Sequence, residues 1–334
     1  MVKVMSKDIQ IVGVIGHGYL ECSEIYLAKR KGGKGLCSVR VLSVENVDYE
    51  SIEKEIRFLK WLSHPNILSS DLIFVEDVNI FFVSPFYNLC SVLHIMQKYY
   101  PYGLPEKAIV RITKGLLLAL QYLHEQKITH RAVRCGHVLL SSNNEVKLCG
   151  LRHCVYVNPN ELTGVSECCH DFDESMINNL LWLAPEVLKQ DLHGYGLLSD
   201  VYSLGITLCE MANGFPPFSD MDRLQMLYEK CKGTTPRLLD CTTLPDSCDD
   251  PVIEQKKRRF TDAFHNFVDI CLKPSPDGRW PVHRLLSHHF VRSLKKSRSF
   301  THLLPLAVPI TEKNVEPYVA EPPADHDRMD DWVF

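Results

Sequence analysis

Four short motifs between residues 130 and 279 constrain the fold of this chain more than any other feature. The first spans residues 130–140, where His-Arg-Ala-Val-Arg is followed, after two intervening residues, by His and an apolar Val-Leu-Leu end. The others are Ala-Pro-Glu at 184–186, Asp-Val-Tyr-Ser-Leu-Gly at 200–205, and Arg279 after Cys-Leu-Lys-Pro. One such match is a weak signal, whereas several in a fixed order indicate one fold.

These motifs resemble the frame of a protein kinase. Residues 130–140 follow the catalytic-loop pattern H-R-D-L-K-x-x-N-x-L-L, and 184–186 is the A-P-E motif. The run at 200–205 matches the D-x-W/Y-S-x-G helix start, and Arg279 stands where the family places the arginine that pairs with the A-P-E glutamate. We therefore predict an α+β, bilobal protein-kinase-like fold. It would have a small β-rich N-lobe over 1–86 with one main helix, a larger helical C-lobe over 87–296, and a Pro-rich acidic tail over 297–334.

Local patterns agree with this order. Apolar and β-branched runs predict strands over residues 9–15, 24–28, 36–42, 72–75 and 80–84. Apolar residues at helical spacing predict helices over 49–62, 90–98, 106–124, 200–213, 224–232, 261–272 and 282–295. The Pro-rich and acidic composition beyond Lys296 predicts no stable structure before residues 330–334.

The composition fits a soluble globular protein. The 334 residues are 45% hydrophobic and 23% charged, and the net charge of −4 does not point to nucleic acid or an anionic membrane. No run approaches the roughly 18 apolar residues of a membrane span, and residues 1–8 lack the apolar core of a signal peptide. With no secretory signal, the 13 cysteines favour reduced thiols in a cytoplasmic protein. We expect the nucleus as a possible second compartment. The Cys-Cys-His at 168–170 predicts no zinc site, because adjacent cysteines rarely chelate one tetrahedral ion.

The catalytic-loop frame lacks the residues that carry phosphoryl-transfer chemistry. Ala132 stands at the aspartate that accepts the substrate proton, and His137 stands at the asparagine that holds magnesium. Aligning the strand at 145–148 with the usual K-L-x places Gly150 at the metal-binding aspartate of D-F-G. Because magnesium prefers hard oxygen ligands, His137 and Gly150 predict no metal site. Because the base is also missing, we expect no measurable phosphoryl transfer.

The phosphate-binding positions are also changed. The Gly-rich loop keeps Gly16 and Gly18, but its third glycine is Glu21, whose carboxylate would repel phosphates. Arg40 replaces the lysine of the third strand, and its expected helix partner is Glu55. Arginine keeps the positive charge of lysine but presents it as a planar fork and not as a point charge, so the geometry of the pair changes. The pair is either a structural ion pair or a phosphate contact.

Two further residues complete the candidate nucleotide site. Leu139 would floor the adenine ring, and Arg152 stands at the glycine of D-F-G and brings a permanent cation. We hypothesise that Arg152 neutralises nucleotide phosphates in place of the missing metal. The alternative is that it anchors the activation segment, which we define as residues 150–183.

The residues at 130–137, together with Gly-Leu-Arg at 150–152, resemble the STRAD pseudokinases, the sterile-twenty-related kinase adaptors. Further likenesses are residues 181–186, 191–195 and 205–210 and the terminal Asp-Trp-Val-Phe at 331–334, so the resemblance covers nearly the whole chain. It implies an inactive adaptor that binds the serine/threonine kinase liver kinase B and switches it on allosterically. It also implies that ATP is bound without hydrolysis, and we expect no magnesium requirement.

The same resemblance implies a second partner. In this family a terminal Trp-Glu-Phe inserts into a helical-repeat scaffold of the mouse-protein-twenty-five type. Here the triplet is Trp332-Val333-Phe334, which keeps both aromatic anchors and loses the glutamate. Buried aromatic residues usually carry the binding energy of such peptides, so we expect scaffold binding with altered polar contacts.

Two other functions fit the sequence. The first is a weakly active atypical kinase that uses Asp171 or Asp173 for the lost carboxylates. The second is a nucleotide-independent scaffold whose cleft is filled by its own side chains. For the partner kinase, fold-level analogy makes residues 221–232 and 191–195 docking candidates.

Overall fold

The computed structural model describes residues 8–18, 23–32, 35–46, 48–159, 167–190, 193–244, 253–294 and 299–317. Within them the strands are β1 (Ile9–His17), β2 (Ser23–Arg30), β3 (Leu36–Ser43), β4 (Leu72–Glu76), β5 (Asn79–Pro85), β6 (Ile128–Thr129), β7 (Val138–Leu140), β8 (Val146–Leu148), β9 (Val155–Tyr156), β10 (Asn158–Pro159), β11 (Glu167–Cys168) and β12 (Glu316–Pro317). The α-helices are α1 (Tyr49–Trp61), α2 (Val92–Tyr99), α3 (Glu106–Glu125), α4 (Pro185–Lys189), α5 (Leu198–Asn213), α6 (Arg223–Lys232), α7 (Ile253–Lys256), α8 (Asp262–Cys271), α9 (Val282–Leu285), α10 (His289–Arg292) and α11 (Phe300–Leu303). The predicted strands, and the predicted helices up to residue 272, are confirmed, with ends that differ by one or two residues.

Contacts within the chain divide it into two compact units. The first unit is Met1–Asn46, Asp71–Phe86 and Thr311–Phe334, and the second is Val47–Ser70 and Tyr87–Ile310. A sheet-based unit and a larger helical one form the α+β arrangement that the sequence predicts. Helix α1, which falls within the predicted N-lobe range, groups with the second unit because it packs against a 3-10 helix at Leu151–His153.

The first unit is an antiparallel sheet with strand order β12-β1-β2-β3-β5-β4. Because successive side chains of a strand point to opposite faces, Cys37 and Val39 of β3 lie on the same face. They pack there with Tyr26, Ala28 and Val83 in a buried cluster. The alternation of partly buried and buried residues from Leu36 to Arg40 thus marks this face of the sheet as apolar.

The second unit is organised around α5. Every residue of this helix from Ser199 to Asn213 is buried, as expected for a helix that is apolar on all sides. A Cβ on Gly205 would lie 2.7 Å from Leu272 Cδ2, so the glycine lets α5 approach the end of α8 closely. Helix α5 ends at Gly214, whose φ of +94° is the left-handed conformation that favours glycine.

The expected A-P-E ion pair is present and bidentate. Arg279 Nη1 and Nη2 donate to Glu186 Oε1 and Oε2 at 2.6 and 2.8 Å. Arg279 is buried, and it also donates to the carbonyl oxygens of Leu198 and Pro274. The pair therefore ties the start of α4 to the start of α5.

The predicted single helix over 282–295 is wrong, because the structure has the short helices α9 and α10 instead. The break is at His288, whose backbone is extended and whose Nδ1 accepts the N–H of Phe290 at 3.1 Å. His288 Nε2 also hydrogen-bonds Asn266 Oδ1 at 3.0 Å. A side chain that caps α10 and bonds α8 thus overrides the helical periodicity.

The prediction that the tail lacks structure is wrong for residues 299–317. Helix α11 packs on α3 in the second unit, where Phe300 and Leu304 are fully buried. In the first unit β12 pairs antiparallel with β1, and Lys29 forms a 2.5 Å ion pair with Glu312. Composition missed this because a few apolar residues dock a segment that is otherwise polar and rich in proline. Among the helices of the described residues, none combines the length and apolar character that crossing a bilayer requires.

We predict that Phe300→Ala lowers the free energy of unfolding by about 3–5 kcal/mol, because it empties a fully enclosed site. Arg111 stacks over the Phe300 ring at 5.3 Å and would lose this contact as well. Urea unfolding of the full chain measures the change. The matched control is Leu306→Ala in the same segment, which is 59% exposed and should change stability by no more than about 0.5 kcal/mol. Equal losses in both variants would contradict the docking of the tail.

Candidate functional site

The backbone of the degenerate catalytic loop is held by one buried carboxylate on α5. Asp200 accepts the N–H of His130 on Oδ2 at 2.7 Å and the N–H of Arg131 on Oδ1 at 2.9 Å. His124 Nε2 also lies 3.0 Å from Oδ2. Burial raises the pKa of Asp200, but the hydrogen bonds and charges of His124 and His130 more than offset this and hold it below its ordinary value. The loop therefore keeps its shape independently of any catalytic chemistry.

The position of the catalytic base holds no group that can accept a proton. Ala132 is fully buried, and its backbone carbonyl accepts a hydrogen bond from His137 Nδ1 at 2.7 Å. The neighbouring His130 does not replace it, because both of its ring nitrogens are engaged. Nε2 donates to the Cys149 carbonyl at 3.0 Å, and Nδ1 accepts the Ala132 N–H at 3.3 Å.

His137 is a neutral imidazole with both nitrogens in use. Because a carbonyl can only accept, Nδ1 donates to Ala132, and Nε2 then accepts from Arg134 Nη2 at 3.3 Å. Burial, followed by the charges of Arg134 and His153, holds the pKa of His137 well below its ordinary value. This arrangement leaves no lone pair on the ring for a metal ion.

Gly150 and His137 fit each other sterically. Gly150 has a φ of +89°, and a Cβ on it would lie 2.8 Å from His137 Nδ1 and 3.0 Å from its Cγ. An aspartate side chain at this position could therefore be accommodated only if the imidazole of His137 moved. No described residues form a group of three or more His, Cys, Asp or Glu side chains that could hold a metal. The residues present do not fit the magnesium ion that the fold family uses.

Arg152 and Glu55 are both buried in the second unit. They are 7% and 6% exposed, and α1, which carries Glu55, packs on the turn that carries Arg152. Burial first and the Arg152 charge second lower the pKa of His153 to about 3. Leu139 is half-buried on β7, opposite Lys147 of β8. The burial of Arg152 fits the anchoring alternative, and its contact with phosphate stays a prediction.

The candidate residues of the first unit lie along its sheet. Gly16 pairs with Ile25 near the end of β1, and Gly18 donates its N–H to the Ser23 carbonyl at 2.6 Å. A Cβ on Gly18 would overlap the Ser23 hydroxyl, so a larger residue here would require the Ser23 side chain to move. Arg40 of β3 stacks over Phe82 at 4.2 Å, and its ion pair with Glu55 stays a prediction. Three predicted residues lie outside the described part of the chain, namely Glu21, Trp332 and Phe334.

Two buried groups that the sequence did not single out hold the end of the activation segment. Lys230 on α6 donates to the carbonyls of Leu180 and Leu181 at 3.1 and 2.8 Å, and its burial lowers its pKa to about 7. Glu210 on α5 accepts the indole N–H of Trp182 at 2.8 Å. Each contact joins residues far apart in the chain, so no local pattern could have found it.

Comparison with known proteins gives a consistent result. The protein kinase domain model matches residues 9–291, in agreement with the fold above. STE20-related kinase adapter protein alpha of Mus musculus is 32% identical over 97% of this chain and 84% of its own length. STE20-related kinase adapter protein strd-1 of Caenorhabditis elegans is 36% identical over 81% of this chain and 70% of its own length. The beta protein of Homo sapiens is 30% identical over 96% of this chain and 85% of its own length.

We predict that Gly150→Asp lowers the free energy of unfolding through its clash with His137 and its positive φ. Overpacking costs about 1–3 kcal/mol, and the left-handed backbone adds about 1–2 kcal/mol. In a His137→Ala background only the backbone cost should remain, and a double-mutant cycle in urea isolates the difference.

Gly32→Asp is the matched control for this cycle. Gly32 has a similar φ of +78°, and a Cβ there would meet nothing within 4 Å. If Gly150→Asp cost no more than Gly32→Asp, the steric coupling between positions 137 and 150 would be refuted.

Proposed function

Because the chain belongs to the STE20-related kinase adapter family, we propose that it is a catalytically inactive pseudokinase that activates a serine/threonine kinase of liver kinase B type. The observation that carries this proposal is that the catalytic loop keeps its backbone arrangement but lacks the side chains that transfer a phosphoryl group. Asp200 holds the loop backbone, while the base and metal positions are Ala132, His137 and Gly150. A fold kept without its reaction fits a protein that is recognised by shape.

Activation without chemistry requires preferential binding to one conformer of the partner. An adaptor that binds the active conformer more tightly than the inactive one shifts the partner's population towards activity. Moving a 1:99 equilibrium to 99:1 takes about 5.5 kcal/mol of differential affinity. A second binding protein lowers the share that the adaptor alone must supply. This is the part we assign to the helical-repeat scaffold of the mouse-protein-twenty-five type, held through Trp332 and Phe334.

ATP binding without magnesium is the third element of the proposal. The metal positions offer no oxygen ligand, so the phosphate charge would have to be met by protein cations. Arg40 and Arg152 are the candidates, with Gly16, Gly18 and Leu139 around the nucleotide. The alternative is a nucleotide-independent scaffold, in which the buried Arg152 serves only to anchor the activation segment.

The atypical-kinase alternative has less support. It assigned the missing carboxylates to Asp171 or Asp173, but both lie beside the buried Arg131 guanidinium. Asp173 Oδ2 accepts from Arg131 Nη2 at 2.9 Å, and Asp171 Oδ1 lies 3.7 Å from Nη1. Both carboxylates therefore already balance a buried cation, which leaves them less available to position a substrate hydroxyl.

We predict that the purified full chain, with the scaffold, raises the activity of liver kinase B towards a peptide substrate by about 5–150-fold, the usual range of allosteric coupling. Deleting residues 332–334 should raise the scaffold concentration that is needed for half-maximal activation of the partner kinase. The control is a partner kinase that lacks its own catalytic aspartate, which should show no activity in the same mixture. Phosphorylation that persisted with this inactive partner would instead favour the atypical-kinase alternative.

We also predict that ATP raises the melting temperature of the chain equally with and without magnesium, and less in Arg152→Ala. The quantity compared is the shift between each variant with and without ATP, so a change in basal stability cancels. Arg57→Ala, which removes an exposed arginine of α1, is the matched control and should keep the full shift. No shift in the wild type would favour the nucleotide-independent scaffold, and a shift that required magnesium or ignored Arg152 would contradict metal replacement.

A further inference from the structure

Arg131 is a buried cation at the centre of a network that the catalytic-loop chemistry does not explain. It is 2% exposed, and its φ of +63° is uncommon for a residue with a side chain. Nε donates to the His153 carbonyl at 2.6 Å, and Nη1 donates to the Tyr195 hydroxyl at 3.1 Å. A strained backbone of this kind persists only where the surroundings fix it.

Two aspartates of the activation segment supply the negative charge for this cation. Arg131 Nη2 donates to Asp173 Oδ2 at 2.9 Å, and Nη1 donates to the Asp171 backbone carbonyl at 3.0 Å. The Asp171 carboxylate lies 3.7 Å from Nη1. Burial lowers the pKa of Arg131, but Tyr195 and the two aspartates offset this and raise it, so the guanidinium stays charged.

Asp171 also reaches a second element. Lys54 Nζ on α1 lies 3.6 Å from Asp171 Oδ2, while Oδ1 of the same carboxylate faces Arg131. One side chain of the activation segment therefore lies between the catalytic-loop arginine and helix α1, all within the second unit. The activation segment and helix α1 are the two elements whose placement decides whether a kinase-like fold has an active-like shape.

In protein kinases this ordering usually follows phosphorylation, which adds about −1.5 to −2 of charge and new pairs with arginine. Two ionised carboxylates provide about the same charge without modification. We propose that Asp171 and Asp173 act as a built-in substitute for an activation-segment phosphate. Residues 167–183 then take their ordered shape from the sequence alone, and presenting them to a partner needs no upstream kinase. The use of that shape rests on the proposed adaptor function, whereas the ordering itself does not.

The test uses the full chain and needs no partner. Hydrogen exchange is measured for amides of residues 167–183 in the wild type, Asp171→Asn, Asp173→Asn and the double variant. Loss of charge-assisted hydrogen bonds should speed exchange in the double variant by roughly tenfold or more. Asp173→Glu, which keeps the charge, should retain most of the protection. Asp220→Asn removes the same charge from an exposed position and should leave exchange in this segment unchanged.

Phosphatase treatment of the wild-type protein provides the second arm. If the carboxylates suffice, exchange before and after treatment is the same. Unchanged exchange in the double aspartate variant, or protection that phosphatase removes, would overturn the proposal.

Partner activation by the same variants links the two proposals. The double variant should activate the partner less than the wild type does, in proportion to the exchange protection that residues 167–183 lose. If the wild type fails to activate the partner, the adaptor function is refuted, while the exchange data still decide the role of the aspartates.

Discussion

The second unit depends on the carboxylate of Asp200. It is fully buried, it lies in the first turn of a helix that is buried almost throughout, and it accepts two consecutive backbone N–H groups of the catalytic-loop segment. An unpaired carboxylate there would be costly, so helix and loop are mutually required. The interaction uses only the backbone of His130 and Arg131. For this reason the loop can lose its catalytic side chain and keep its course.

The proposed loss of catalysis has a steric component as well as a chemical one. His137 uses one nitrogen on the Ala132 carbonyl and the other on Arg134, and its ring stands where a Cβ at position 150 would go. Restoring an aspartate at position 150 alone therefore meets a steric obstacle in addition to a missing partner. Gly150 makes room for the His137 ring, so the two positions are sterically coupled.

Much of the fold and part of the site could be predicted from the sequence. The strands and long helices follow from apolar periodicity, and the Glu186–Arg279 pair follows from motif order. The break at His288 and the docked tail could not be predicted, because each depends on a few contacts with residues distant in the chain. The same holds for the aspartates beside Arg131 and for Lys230. The sequence shows that residues 171 and 173 are aspartates, but only the fold shows that Asp171 and Asp173 lie beside a buried cation.

The strand β12 changes what counts as one folding unit. The protein kinase domain match ends at residue 291, yet β12 lies along β1 and α11 covers α3 beyond that point. A chain cut at the end of the match would leave the β1 edge of the sheet open and an apolar surface on α3 uncovered. Open strand edges and exposed apolar surface promote association between chains. The end of the family match and the end of the folded chain therefore differ in this protein.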